Sequence, residues 1–93
     1  MLTFIRALRE ARAAAETELA QRASGVPGSE TTDELTNVVR ELTELERSIA
    51  EGVIPGDREL MSAGYAKEWY PRTPLGERLA LIGNAFRKLP VKP

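Results

Sequence analysis

The chain has 93 residues, 42% of them hydrophobic, with 13 Lys and Arg against 14 Asp and Glu for a net charge of −1, and it contains neither cysteine nor histidine. That length makes one domain with a modest core. The missing residue types exclude a disulfide framework, thiolate or imidazole chemistry and zinc sites of the Cys/His kind, and no apolar run reaches the ~18 residues that a membrane-spanning helix needs.

The first segment, 2–24, is rich in Ala, the best helix former. Leu2, Ile5, Leu8, Ala11, Ala15 and Leu19 recur at steps of three or four, which predicts one apolar helix face. Such an Ala-rich face packs either on the rest of the chain or on a partner helix. The opening residues Met1–Arg6 meet a charge early and lack the basic start and long apolar stretch of a signal peptide. The expectation is therefore a cytoplasmic protein. Gly25-Val26-Pro27-Gly28-Ser29 reads as a connector; it has no lysine and is not a phosphate loop.

Thr31 and Glu34 form a capping-box pair at the start of a second helix, along which Leu35, Val38, Val39, Leu42, Leu45 and Ile49 repeat. Gly52 follows the last turn, where the left-handed conformation ends helices. Asp57 is the expected cap of a shorter third helix running to about Lys67, with Leu60, Met61 and Tyr65 as its apolar positions. Pro71 and Pro74 interrupt regular structure around 69–73. Thr73 caps a fourth helix with Pro74 at its first position, and Leu75, Leu79, Ile82, Phe86 and Leu89 form its face. Pro90 stops that helix, and Val91–Pro93 reads as a frayed tail. Nothing signals a strand or a repeat. The predicted fold is all-α, a single domain over 1–93, arranged as a small four-helix (three-plus-one) bundle with short loops.

Charge is unevenly distributed. Residues 1–29 are net +1, residues 30–60 are net −6, and residues 61–93 are net +4. On the second helix Glu34, Glu41, Glu44 and Glu51 share one side with Asn37 and Ser48, away from the apolar face. This side is either a solvated helix face or an acidic docking surface for a basic partner. Asp57, Glu59, Tyr65 and Trp69 lie along its adjacent edge. Trp69 beside a Pro-capped helix is either a core plug or an interface anchor.

The acids do not read as catalysts or metal ligands. Glu41 and Glu44 stand three apart, but a helical di-metal site wants histidines with them. Ser24, Ser29 and Ser62 lack a base and an oxyanion motif. The expectation is no enzyme, no catalytic residue, no cofactor and no metal. Arg87, Lys88 and Lys92 stand at the end of the last helix and in the tail, where the helix dipole favours cations. No helix-turn-helix spacing accompanies them, so no direct nucleic-acid binding is expected.

The segment Trp69-Tyr70-Pro71-Arg72-Thr73-Pro74-Leu75-Gly76-Glu77-Arg78-Leu79 resembles the C-terminal part of short helical immunity proteins of bacterial contact-dependent growth-inhibition systems. In that group a Trp-containing linker leads into a Pro/Ser-Leu-Gly helix start. The run Leu42-Thr43-Glu44-Leu45-Glu46 on the preceding charged helix resembles it too. The resemblance spans Asp33 to Leu89 and does not reach residues 1–30. It implies a protein that binds a cognate toxin domain, often a nuclease, and occludes its active site without turnover. The near-neutral total charge departs from the strongly acidic balance of many nuclease inhibitors.

The first reading is thus a cytoplasmic toxin-neutralising protein with a protein partner and no membrane association. Its partner-binding residues would be Glu34, Glu41, Glu44, Glu51, Asp57, Glu59, Tyr65 and Trp69. The second reading is a structural or adaptor module, in one form a homodimer through the apolar face of helix one or two. The third is a small nucleic-acid-binding regulator. The sequence leaves monomer or homodimer open.

Overall fold

A computed structural model of the chain describes residues 2–69 and 73–89. Four helices make up their regular structure: α1 (Leu2–Ala23), α2 (Thr32–Ala50), α3 (Met61–Glu68) and α4 (Pro74–Arg87). The all-α four-helix bundle is the fold that the periodicity predicts. Each helix packs on its chain neighbour, and α4 returns to α1 to close the ring. Contacting helices run antiparallel: Arg9 and Arg12 meet Glu46 between α1 and α2, and Phe4 stacks on Phe86 between α1 and α4. No described helix is long and apolar enough to cross a membrane. The breaks expected at Pro71 and Pro90, Tyr70 and the tail Val91–Pro93 fall outside the described residues.

The core is built from one stripe per helix. Leu8, Leu35, Val38, Leu42, Leu79 and Phe86 are almost wholly enclosed. On α1 the buried stripe is Phe4, Leu8, Ala11 and Ala15. The expected face included Leu2 and Ile5, but Leu2 is 71% exposed and Ile5 only half-buried. Steps of three drift around a helix of 3.6 residues per turn, so Leu2 ends far from Leu8's side, while Phe4 at a step of four lies above it. The buried stripes of α1 and α2 are covered by the chain's own core.

The helix ends follow local chemistry. Glu34 N–H donates to Thr31 Oγ1 and Thr31 N–H donates to Glu34 Oε1, both at 3.1 Å, completing the capping box. Gly76 N–H donates to Thr73 Oγ1 at 2.9 Å, with Pro74 leading α4. α1 and α2 both close through left-handed glycines, Gly25 (φ 89°) and Gly52 (φ 80°). In each, the residue after the glycine donates back five residues: Val26 N–H to Gln21 O, and Val53 N–H to Ser48 O.

The α1–α2 connection holds a buried ion pair. Glu30 is 2% exposed, and its Oε1 accepts from Arg22 Nη2 at 2.7 Å. Arg22 also donates to Glu18 Oε2, to Glu30 O and to Val26 O. A Cβ on Gly28 would overlap the Arg22 guanidinium, so glycine lets the loop close over it. Glu30 Oε2 is buried without a hydrogen-bond partner.

Candidate functional site

The eight residues expected at a partner surface separate into groups. α3 lies antiparallel against the side of α2 that carries Glu34, Asn37 and Glu41. That side is a contact between helices, and only its outer margin faces solvent.

Glu41 occupies the start of α3. Its Oε2 accepts from Met61 N–H at 2.8 Å, and its Oε1 accepts from Ser62 N–H at 2.7 Å and from the Ser62 hydroxyl. α3 has no side-chain cap of its own, and its N-cap residue is Leu60. The first N–H groups of a helix lack intrahelical partners and carry the positive end of its dipole, so a carboxylate there is doubly favoured. Asp57 is not the cap of α3, contrary to expectation, because the helix begins four residues later, where Glu41 supplies the acceptors. Asp57 Oδ1 instead accepts from Glu59 N–H at 2.9 Å and closes a local turn.

Glu34, Tyr65 and Trp69 hold the other end of α3. Trp69 is 6% exposed and donates through Nε1 to Glu34 Oε1 at 3.1 Å. Its ring stacks on Tyr65, and Tyr65 Oη accepts from Asn37 Nδ2 at 3.0 Å. These residues close the bundle. Trp69, expected on the partner edge, is a core plug, and Glu34 is both capping-box residue and tryptophan acceptor. Burial pushes the Glu34 carboxyl up, but hydrogen bonds from Thr31 N–H, Trp69 Nε1 and Thr31 Oγ1 outweigh it and hold the group below its ordinary value. A depressed folded pKa contributes stability above the unfolded value and loses it as pH falls through the folded one. Melting temperature is therefore expected to fall between the ordinary glutamate range, about 4.3, and the lower folded value. Glu34→Gln should be less stable at neutral pH and show a flatter acid limb; an unchanged limb would contradict the assignment.

The remaining acids are surface groups. Glu44 is exposed and makes no ion pair or hydrogen bond among the described residues. Glu59 is exposed and lies 3.3 Å from Arg87, an open pair of little energetic consequence. Glu51 sits apart at the end of α2, 3.9 Å from Arg47. Glu44, Asp57 and Glu59 come together with Glu41 around a groove of about 210 Å³, floored by Leu45, Leu60 and Phe86 and edged by Ser48 and Pro55. Arg58 donates to Phe86 O at 2.8 Å, with its guanidinium 5.2 Å from the Phe86 ring centroid.

The rim carboxylates and apolar floor suit a long basic side chain, whose stem lies on the floor while its head meets the rim. No group of three acids among the described residues has metal-ligand geometry. Ser48, Leu60 and Pro55 were not among the expected site residues. Ser48 carries a signal, since it continues the polar stripe of Asn37 and Glu41; Leu60 and Pro55 carry none, because only the chain's return over α2 brings them there. No protein-family model, no curated protein and no solved structure matches the chain.

Proposed function

We propose that this chain is a stoichiometric binding protein, and that its partner is a bacterial toxin domain which it neutralises in the cytoplasm by occlusion, without turnover. The observation that carries the binding part is the convergence of Glu44, Asp57 and Glu59 on one apolar-floored groove. Three carboxylates from two segments form a receptor for a basic anchor, and arginine in a desolvated pocket is a frequent interface hot spot. The toxin part rests on the resemblance of the Trp69–Leu79 and Leu42–Glu46 segments to immunity proteins. A nucleic-acid-cleaving toxin offers a basic surface, which fits the charge of this rim.

The test is co-expression with the protein encoded immediately upstream. Growth is expected to be restored only when this chain is present, and the two proteins should co-purify one to one. Reversing Glu44, Asp57 and Glu59 to lysine should abolish rescue with the helices retained by circular dichroism, and Glu44→Lys alone, which removes no hydrogen bond or ion pair among the described residues, should weaken it with the melting temperature nearly unchanged. Absence of toxicity and of a complex would refute the toxin reading. Full rescue by the triple variant would refute the groove.

A further inference from the structure

The acidic groove and α3 share one side chain. Glu41 lines the groove with Glu44, Asp57 and Glu59. Both its oxygens are nevertheless taken up by the start of α3, at the amides of Met61 and Ser62 and the Ser62 hydroxyl. Leu60, which floors the groove, is also the N-cap residue of α3. One wall of the groove is therefore α2, and the other is the irregular chain of residues 55–60 that runs straight into α3. The far end of α3 is fastened to α2 as well, through Trp69 on Glu34 and Asn37 on Tyr65. Between these fastenings α3 is a weak helix of eight residues, too short to form alone. Gly64 stands in its middle, where glycine favours the helix about fivefold less than alanine does. A Cβ at Gly64 would meet nothing within 4 Å, so no packing contact requires the glycine.

We propose that α3 and the acidic groove form one cooperative unit joined through Glu41, so that the groove is formed only while α3 is docked. The occupant of the groove rests on the partner reading given above; the coupling itself does not. When α3 lifts, the Met61 and Ser62 amides leave Glu41, and Asp57, Glu59 and Leu60 lose the anchor that holds them opposite Glu44. A partner that needs both walls binds only the docked form, and linkage then requires that the bound partner hold α3 down. The effect reaches Trp69, about 12 Å along the helix from Met61. Glu41 is a positioning residue here, because its oxygens are occupied and it acts on the partner through the wall that it holds.

Nuclear magnetic resonance of the ¹⁵N-labelled full chain tests this, with circular dichroism confirming that each variant stays helical. In the free chain, Glu41→Ala should shift the Asp57 and Glu59 amides together with that of Trp69. Adding Gly64→Ala should move all three back along the same line. Binding to the protein encoded immediately upstream should weaken about tenfold in Glu41→Ala, as the competent fraction falls. Gly64→Ala should recover about fivefold of that loss. A methyl group on the exposed side of α3 could not replace a lost contact between Glu41 and the partner. Ala15→Gly, which weakens α1 instead, should leave the affinity unchanged. Saturating the wild type with the partner should slow exchange of the Trp69 amide about tenfold or more. Asp57 and Glu59 amides that ignore Gly64→Ala, or an affinity that it does not recover, would overturn the coupling. The shared line without any complex would uphold the coupling and refute the partner reading alone.

Discussion

Arg22→Leu is expected to lower the free energy of unfolding by about 3–5 kcal/mol, because it leaves Glu30 as a buried carboxylate without its cation. Glu30 is 2% exposed and its Oε2 already lacks a partner, so among the described residues Arg22 provides its only side-chain counter-charge contact. The same guanidinium holds the Glu30 and Val26 carbonyls. Its loss therefore frees the connection between α1 and α2 as well as the charge. Domains of this size are stable by about 5–15 kcal/mol, so the variant should populate unfolded chain on mild heating. Arg22→Leu combined with Glu30→Leu should be more stable than Arg22→Leu alone, with a coupling of about 2 kcal/mol, since the second change removes the uncompensated charge. Urea unfolding of the two single variants and the double measures this. A double variant no better than Arg22→Leu would show that the carbonyl contacts, not the buried carboxylate, govern the effect.

Glu41→Ala is expected to cost about 2–4 kcal/mol, the combined loss of charge-assisted hydrogen bonds at a helix start. Met61 and Ser62 would keep their N–H groups without a side-chain acceptor, and α3, eight residues long, cannot form alone. Its detachment would expose Ala63 and loosen Trp69, both buried now. Glu41→Gln keeps acceptor capacity and should lose roughly half as much. Glu44→Ala, one turn further along α2, should stay within about 0.5 kcal/mol of wild type. In a domain this small each kcal/mol moves the melting temperature by about 4–8 °C, so the contrast is easily read. Equal melting of the Glu41 and Glu44 variants would contradict the capping role.

That contrast also shows where the sequence was legible. The capping box at Thr31 and Glu34, the glycine ending α2 and the Thr73–Pro74 start of α4 lie within three or four residues of the bonds they make. Local order is enough to read them. The fold class followed from the repeats of α2 and α4. α3 is different, because its cap stands 20 positions earlier in the chain. A search for a local cap therefore settles on Asp57. Glu41 and Glu44 are alike in sequence, both acids on the polar side of one amphipathic helix. Only the crossing of α3 separates them, turning one into a cap and leaving the other in solvent. A hint was present: Asn37 and Ser48 share the stripe with Glu41, and uncharged polar residues in register beside a core stripe mark a second packed face. The Arg22–Glu30 pair was illegible for the same reason, since Arg22 and Glu30 in a charged sequence carry no sign of burial.

The acid-rich segment thus divides between holding the bundle together and facing outward, and the proposed activity belongs to the outward part. The most direct test is a titration of the ¹⁵N-labelled chain with the protein encoded immediately upstream, read by backbone amide shifts. The expected result is a set of large shifts at Glu44, Leu45, Ser48, Asp57, Glu59 and Leu60, with α1 little changed. Shifts centred on Leu81 and the α1–α4 groove, with the acidic groove silent, would contradict the assignment of the partner surface.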